Sequence, residues 1–255
     1  MSRLSDRLCS RPARICSGFL AALIVLSLKI PGTACGATLT GTFSQIPQGN
    51  VVDLTREGPL DWVHWGLYTE TSVNRKATVA PQVSDFMRLD ATNGYSYVYQ
   101  FADNYNGYSW SDGSPTASVT NTTTGVWAYG VPAMGSGFLI TVPADTTQRT
   151  LKVYVGAFGA KGRLEASLSD NSAPAYMNTA LANLMGNGPS GVYSITYAAQ
   201  SAGQTLTIKW TLVQAARADA NVTLQAAALT ASGANNPPFV SVTGPCQRPP
   251  AKPEA

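Results

Sequence analysis

Between residues 50 and 230 the chain repeats one pattern. Short segments alternate apolar or aromatic residues with polar ones, and Gly, Pro, Asn or Asp breaks them roughly every 8–15 positions. SYVYQFA (96–102) sets Tyr97, Tyr99 and Phe101 against Ser96, Val98 and Gln100. TLKVYVGAF (150–158) sets Leu151, Val153 and Val155 against Lys152, Tyr154 and Gly156. RLEASLSD (163–170), VYSITYAA (192–199), TLTIKWTLV (205–213) and NVTLQAAAL (221–229) continue the series. A period of two belongs to strands with one buried face, because successive side chains leave opposite sides. Parallel sheets buried on both faces read instead as unbroken apolar runs. The pattern therefore predicts an all-β, antiparallel sandwich. YMNTALANLM (176–185) alone has the make-up for one or two helical turns, and QAARAD (214–219) reads as a loop. No repeat of solenoid or propeller length occurs.

The ends differ from this body. Arg3, Arg7, Arg11 and Arg14 precede the apolar run GFLAALIVLSL (18–28), which stops at Pro31 and Gly32. A membrane-spanning helix needs ~20 apolar residues. The run is shorter and small residues follow it, so residues 1–37 are expected to be a cleaved export signal. The mature chain would then be secreted or held at the cell surface, with no transmembrane segment. Lipid anchoring through Cys35 is weakly supported, because Gly32 stands where an aliphatic residue belongs. Residues 38–49 read as a lead-in, 50–230 as the β domain, and 231–255 as a Pro-rich linker or tail. Within the tail, FVSVTGP (239–245) looks like the start of an absent β module. Cys35 and Cys246 are the two cysteines outside the signal, and whether they pair is left open.

Removing the signal changes the electrostatics. The whole chain carries 17 basic and 14 acidic residues, a formal +3. Beyond residue 37 there are 12 basic and 13 acidic residues. The basicity belongs to the signal, so no nucleic-acid partner is expected.

The catalytic inventory is thin. There is one histidine, His64, and no cysteine inside the domain, which excludes Cys–His catalysis and Cys-ligated zinc. No nucleophile-elbow motif accompanies His64. The acids offer no selected pair for glycoside cleavage. Asp112, Asp145 and Asp170 fall in turns, where carboxylates cap local amides. Asp103, Asn104 and Asn106 in FADNYNG form a weak candidate for a structural calcium, without EF-hand spacing. No other cofactor is expected.

Aromatic residues are the richer resource. Trp62, Trp65, Trp110 and Trp127 lie in the first half with Tyr95, Tyr97, Tyr99, Tyr105, Tyr108 and Tyr129. Sugars present apolar C–H faces that stack on such rings. In DWVHWG, Trp62 and His64 point to one side, and Asp61, Val63 and Trp65 to the other. Trp110, in the YSWSDG turn, is expected nearer the surface.

Taken together, DLTREGPLDWVHWG (53–66), NRK (74–76), SWSDGSPTASVTNTTTGV (109–126), ITVPADTTQRTLKVYVG (140–156), LEASLSD (164–170) and NVTLQAA (221–227) resemble a module of secreted bacterial proteins. That module is similar to the galactose-binding-domain-like jelly-roll sandwiches that stand beside immunoglobulin-like or fibronectin-like repeats. The resemblance covers about residues 50–230. It implies a non-catalytic extracellular binding module with a polysaccharide or glycan as partner. Trp62, His64, Trp65, Asn74, Arg75, Trp110 and Asp112 are the candidate ligand-binding residues it points to. The alternative is a structural or adhesive module in which the same residues form a plug, with Arg75 pairing Asp61 or Asp112 beneath the tryptophans. A hydrolase is a distant third. The two leading readings differ in whether this cluster opens to solvent.

Overall fold

The structure, a computed structural model, describes residues 36–131 and 134–232. The expected export signal, Cys35, Cys246 and most of the Pro-rich tail lie outside the described residues. In chain order the elements open with β1 (Thr38–Gln45), β2 (Val51–Asp53), α1 (Leu54–Glu57), β3 (Asp61–Trp65), β4 (Val73–Lys76), β5 (Met87–Leu89) and β6 (Tyr95–Phe101). Next come β7 (Gly107–Trp110), β8 (Gly113–Ser114), β9 (Val119–Thr122), β10 (Gly125–Val131), β11 (Gly137–Ala144) and β12 (Arg149–Phe158). The last are β13 (Ala160–Leu168), β14 (Tyr176–Asn178), β15 (Ala182–Asn183), β16 (Gly191–Ala198), β17 (Gln204–Ala215) and β18 (Asn221–Ala231).

These form the expected all-β sandwich. The larger sheet runs β1-β16-β12-β18 and then divides along the far side of β18, with β3-β4-β8 on one stretch and β10-β6 on the other. The smaller sheet runs β14-β13-β17-β11-β5, with β15 also on β13. From β10 to β13 and again from β16 to β18, the chain changes sheet at each successive long strand, which is jelly-roll winding. The main core lies between the sheets and includes Leu151, Val153, Val155, Leu164, Ile208 and Trp210. Gly162 sits beneath the Trp210 ring, where a Cβ would come within 1.9 Å of it.

Three features depart from the sequence reading. Residues 38–45, expected as lead-in, form an edge strand paired with β16 along its whole length. Residues 176–185 are not helical; they form β14 and β15, which both pair with β13. Pairing to an existing strand overrides a weak helical preference. Third, β3 and most of β18 are buried on both faces. A small sheet, β2-β7-β9, covers part of the outer face of the larger one. With α1 it encloses a second core of Leu54, Trp62, Tyr108, Trp110, Tyr154, Ala226 and Ala228. Asp53 caps α1 by accepting from the Arg56 amide at 3.3 Å.

Candidate functional site

β3 distributes its side chains as the alternation predicts. Val63 and Trp65 enter the main core, while Trp62 belongs to the second. His64 meets Tyr108 and Trp110 of β7, with ring centroids 5.6 and 5.1 Å away. Trp62 lies 5.3 Å from Trp110. Ala228 and Ala226 stand opposite Trp62 and His64 in register, and their small side chains leave room for the rings. Asp112 closes the cluster. Its Oδ1 accepts from Thr55 Oγ1 at 2.6 Å and from Trp62 Nε1 at 2.9 Å, and its Oδ2 pairs with Lys76. Trp110 Nε1 donates to the Thr116 carbonyl at 2.9 Å, and the Thr116 amide donates to Asn74 Oδ1 at 3.1 Å.

Five of the seven expected residues therefore converge: Trp62, His64, Asn74, Trp110 and Asp112. Their surroundings are those of a plug. Trp62 and His64 have no exposed surface and Trp110 keeps 3%. Trp110, expected near the surface, is buried because the small sheet carries it down onto the larger one. A sugar finds no free ring face here. Trp65 lies apart in the main core, where its Nε1 donates to Asp85 at 2.7 Å. Arg75 pairs with neither acid; its Nη1 donates to the Val83 carbonyl at 2.6 Å. Lys76 takes the Asp112 pairing, and Asp61 accepts from the amides of Gln82 and Val83.

Burial governs the titration of this plug. It pulls His64 down to about 3, with neither ring nitrogen hydrogen-bonded among the described residues. At neutral pH the imidazole is uncharged and enclosed. Burial also raises Tyr108. Asp112 behaves differently: desolvation opposes its charge, but hydrogen bonds from Lys76, Thr55 and Trp62 prevail and hold it below the ordinary carboxylate range.

A second aromatic cluster faces water. On β6, Ser96 is buried and Val98 packs against the main core, while Tyr95, Tyr97 and Tyr99 point outward with 53%, 44% and 45% exposure. Tyr97 and Tyr99 stand opposite Tyr129 and Trp127 of β10. Consecutive rings are in contact range: Tyr95–Tyr97 at 5.4 Å, Tyr97–Tyr99 at 6.2 Å, Tyr99–Trp127 at 4.9 Å and Trp127–Tyr129 at 6.1 Å. Desolvation first, then the neighbouring phenols of Tyr95 and Tyr99, push Tyr97 upward. These residues were legible as aromatics, and the alternation of residues 96–102 showed their common side. Which side would face water was not legible.

Beside Trp127 the same face holds a pocket of about 260 Å³. Trp127, Thr223, Asn221 and Phe158 line it, together with Asp103 and Asn104 from the loop after β6 and Asn187 and Ser190 from the loop before β16. Asp219, also in the lining, is held low chiefly by a hydrogen bond from Arg217. Two of the calcium candidates, Asn104 and Asn106, are engaged with each other. Asn104 Nδ2 donates to the carbonyl and Oδ1 of Asn106, and Asn104 Oδ1 accepts from Ser190 and Gln225. Among the described residues no three His, Cys, Asp or Glu side chains gather as a metal site. No described helix is long and apolar enough to cross a membrane.

No family model and no curated protein matches the chain. Solved structures match the chain over part of its length. The active domain of bacteriophage CBA120 tailspike protein 4 has 12% identity and a TM-score of 0.38; the match covers 58% of this chain but only 20% of that one. A CBM61 module in complex with β-1,4-galactotriose has 9% identity and a TM-score of 0.33, over 56% of this chain and 91% of the module. The CBM22-1 xylan-binding domain from Paenibacillus barcinonensis has 11% identity and a TM-score of 0.32, over 60% and 97%.

Proposed function

We propose that this chain is an exported, non-catalytic carbohydrate-binding module whose binding surface is the outward aromatic stripe of β6 and β10. The carrying observation is the orientation of β6. A strand that folds for stability alone turns its large apolar residues to the core. Here Ser96 and Val98 face inward and three tyrosines face water. Contiguous exposed rings of this kind mark interaction sites. Tyrosine and tryptophan offer a flat apolar face with a polar tip, the combination that sugar C–H faces and hydroxyls require. The plug residues take the structural role that the sequence left as an alternative.

Binding suits the chemistry better than hydrolysis. The single histidine is uncharged and enclosed, so it reaches no substrate proton. Glycoside cleavage needs a general acid with a raised pKa, and Asp219 in the pocket is shifted the other way.

The test is retention on a panel of insoluble polysaccharides, with a glycan array alongside. The wild-type chain should be retained by at least one polysaccharide. A Tyr97→Ala/Tyr99→Ala double variant should lose at least tenfold in affinity, since one stacked ring is worth about 0.5–1.5 kcal/mol beyond its buried area. Full retention of the double variant, or no retention of the wild type anywhere, overturns the proposal.

A further inference from the structure

The aromatic stripe leads to a pocket. From Tyr95 it runs about 13 Å along β6 to Tyr99, crosses to Trp127, and there meets the pocket. Across the pocket from the tyrosines, two loops are tied together. Asn187 Nδ2 donates to the Asp103 carbonyl at 3.2 Å, and Tyr105 Oη donates to the Asn187 carbonyl at 3.4 Å. Asn183 fixes the second loop by donating to the carbonyls of Ala157 and Pro189 at 3.0 and 3.1 Å. Asn104 fixes the first through Ser190 at 2.7 Å. These bonds tie the two loops together along one side of the pocket.

We propose that the pocket receives the terminal residue of an uncharged glycan, while Trp127 and the tyrosines hold the residues that follow it. The inference rests on the platform reading above and adds that the module binds chain ends rather than chain interiors. Size agrees: about 260 Å³ lies just below the ~300–1,000 Å³ of drug-sized ligand sites, so it suits one or two rings. The lining is that of a sugar site, with the rings of Trp127, Phe158 and Phe101 for C–H faces and the side chains of Asn221, Thr223 and Asn187 for hydroxyls. Charge selects among ends. Among the described residues no Lys or Arg lines the pocket. Arg217, just outside, is bound to Asp219 at 2.9 and 3.1 Å and lies over the Phe158 ring. Among the described residues the Asp103 carboxylate has no cationic partner, which leaves it to accept sugar hydroxyls. A uronate or sulfated end would meet that charge uncompensated.

The experiment uses the full chain and linear hexasaccharides of glucose, xylose, galactose and mannose. Each is prepared with both ends free, with a bulky aryl group at one end, at the other, or at both, and titrated by calorimetry. The hexasaccharide that binds should lose at least tenfold in affinity when doubly blocked, and should keep its affinity when only one particular end is blocked. Asp103→Lys should weaken the free neutral hexasaccharide by about tenfold, the loss expected for a hydrogen bond to a charged acceptor. The same variant should strengthen binding of the hexasaccharide ending in a uronate. Asp103→Asn, which keeps the shape, should weaken the first and leave the second unimproved. If the doubly blocked hexasaccharide binds like the free one while the Tyr97→Ala/Tyr99→Ala variant still loses at least tenfold, the platform stands and chain-end recognition is wrong. If no free hexasaccharide binds, the platform and the pocket fall together.

Discussion

Asp112 gathers three donors that would otherwise be left at the margin of the second core. Thr55 belongs to α1, Trp62 to β3 and Lys76 to β4, so one carboxylate ties the cap to the larger sheet. Asp112→Ala leaves Lys76 and the Trp62 indole without their acceptor and should lower stability by about 2–3 kcal/mol in urea melts. Asp112→Asn keeps an acceptor for Trp62 and should lose less. The folded carboxyl titrates below its unfolded value. Its stabilisation is therefore present above about pH 4 and is lost as pH falls through the folded value. The gap between wild type and Asp112→Asn should be constant near neutrality and close in acid. His64 works in a different window. Unfolded, its imidazole titrates near 6.5; folded, near 3. Between those values the unfolded chain holds a proton that the folded chain lacks, so stability is full above pH 6.5 and declines with acid by about 1.4 kcal/mol per pH unit. His64→Phe should remove that slope. Its stability relative to wild type should improve by about 2 kcal/mol between pH 6.5 and 5, and a parallel pair of curves would contradict the enclosed, neutral ring.

Strands were legible in proportion to how one-sided they are. β13, β16 and β17 alternate because one face meets the main core and the other meets solvent or little else, whereas β12 does so only over its first half, since Tyr154 enters the second core. β3 and β18 were read as strands, but their second buried face was not foreseen. The clue lay in the alanines of AAAL: Ala226 and Ala228 accept aromatic rings on the outer side. Between Leu224 and Ala226 a register shift against β12 leaves Gln225 unpaired and places Gln225 and Ala226 on that same outer side, which no period-two reading anticipates. The plug was legible as a set of residues and misplaced as a surface, because its cover, β2-β7-β9, consists of three- and four-residue strands far apart in sequence. β6 is the converse case, where pattern gave the tyrosines a common side but only the packing of Ser96 and Val98 gave its direction. Tyr97→Ala should therefore leave the melting point nearly unchanged, within about 0.5 kcal/mol. Ser96→Phe on the buried side of the same strand should cost about 1–3 kcal/mol through overpacking. Equal effects at the two positions would mean that the tyrosines serve the fold.

At the scale of the molecule, the two cores differ in what holds them. The main core joins two long-stranded sheets. The second joins a small sheet and one helical turn to a single face, with Trp110 at its centre and Asp112 at its rim. A layer attached in this way opens on its own, at lower free energy than the whole domain. Trp110→Ala should lower global stability by about 3–5 kcal/mol, the range for emptying a large aromatic site. Asp112→Ala discriminates better, because it loosens the attachment without emptying the core. In native-state hydrogen exchange it should speed the amides of β7 and β9 by roughly 30-fold, equivalent to about 2 kcal/mol of easier opening. Amides of β13 and β17 should change far less as long as they exchange by local opening of their own. Acceleration of equal size in all four strands would show that cap and sandwich unfold as one unit. The differential result would make the cap a separable layer and leave the aromatic stripe of β6 and β10, which lies beside it on the same sheet face, undisturbed when the cap opens. Glycan affinity of Asp112→Ala should then equal that of wild type.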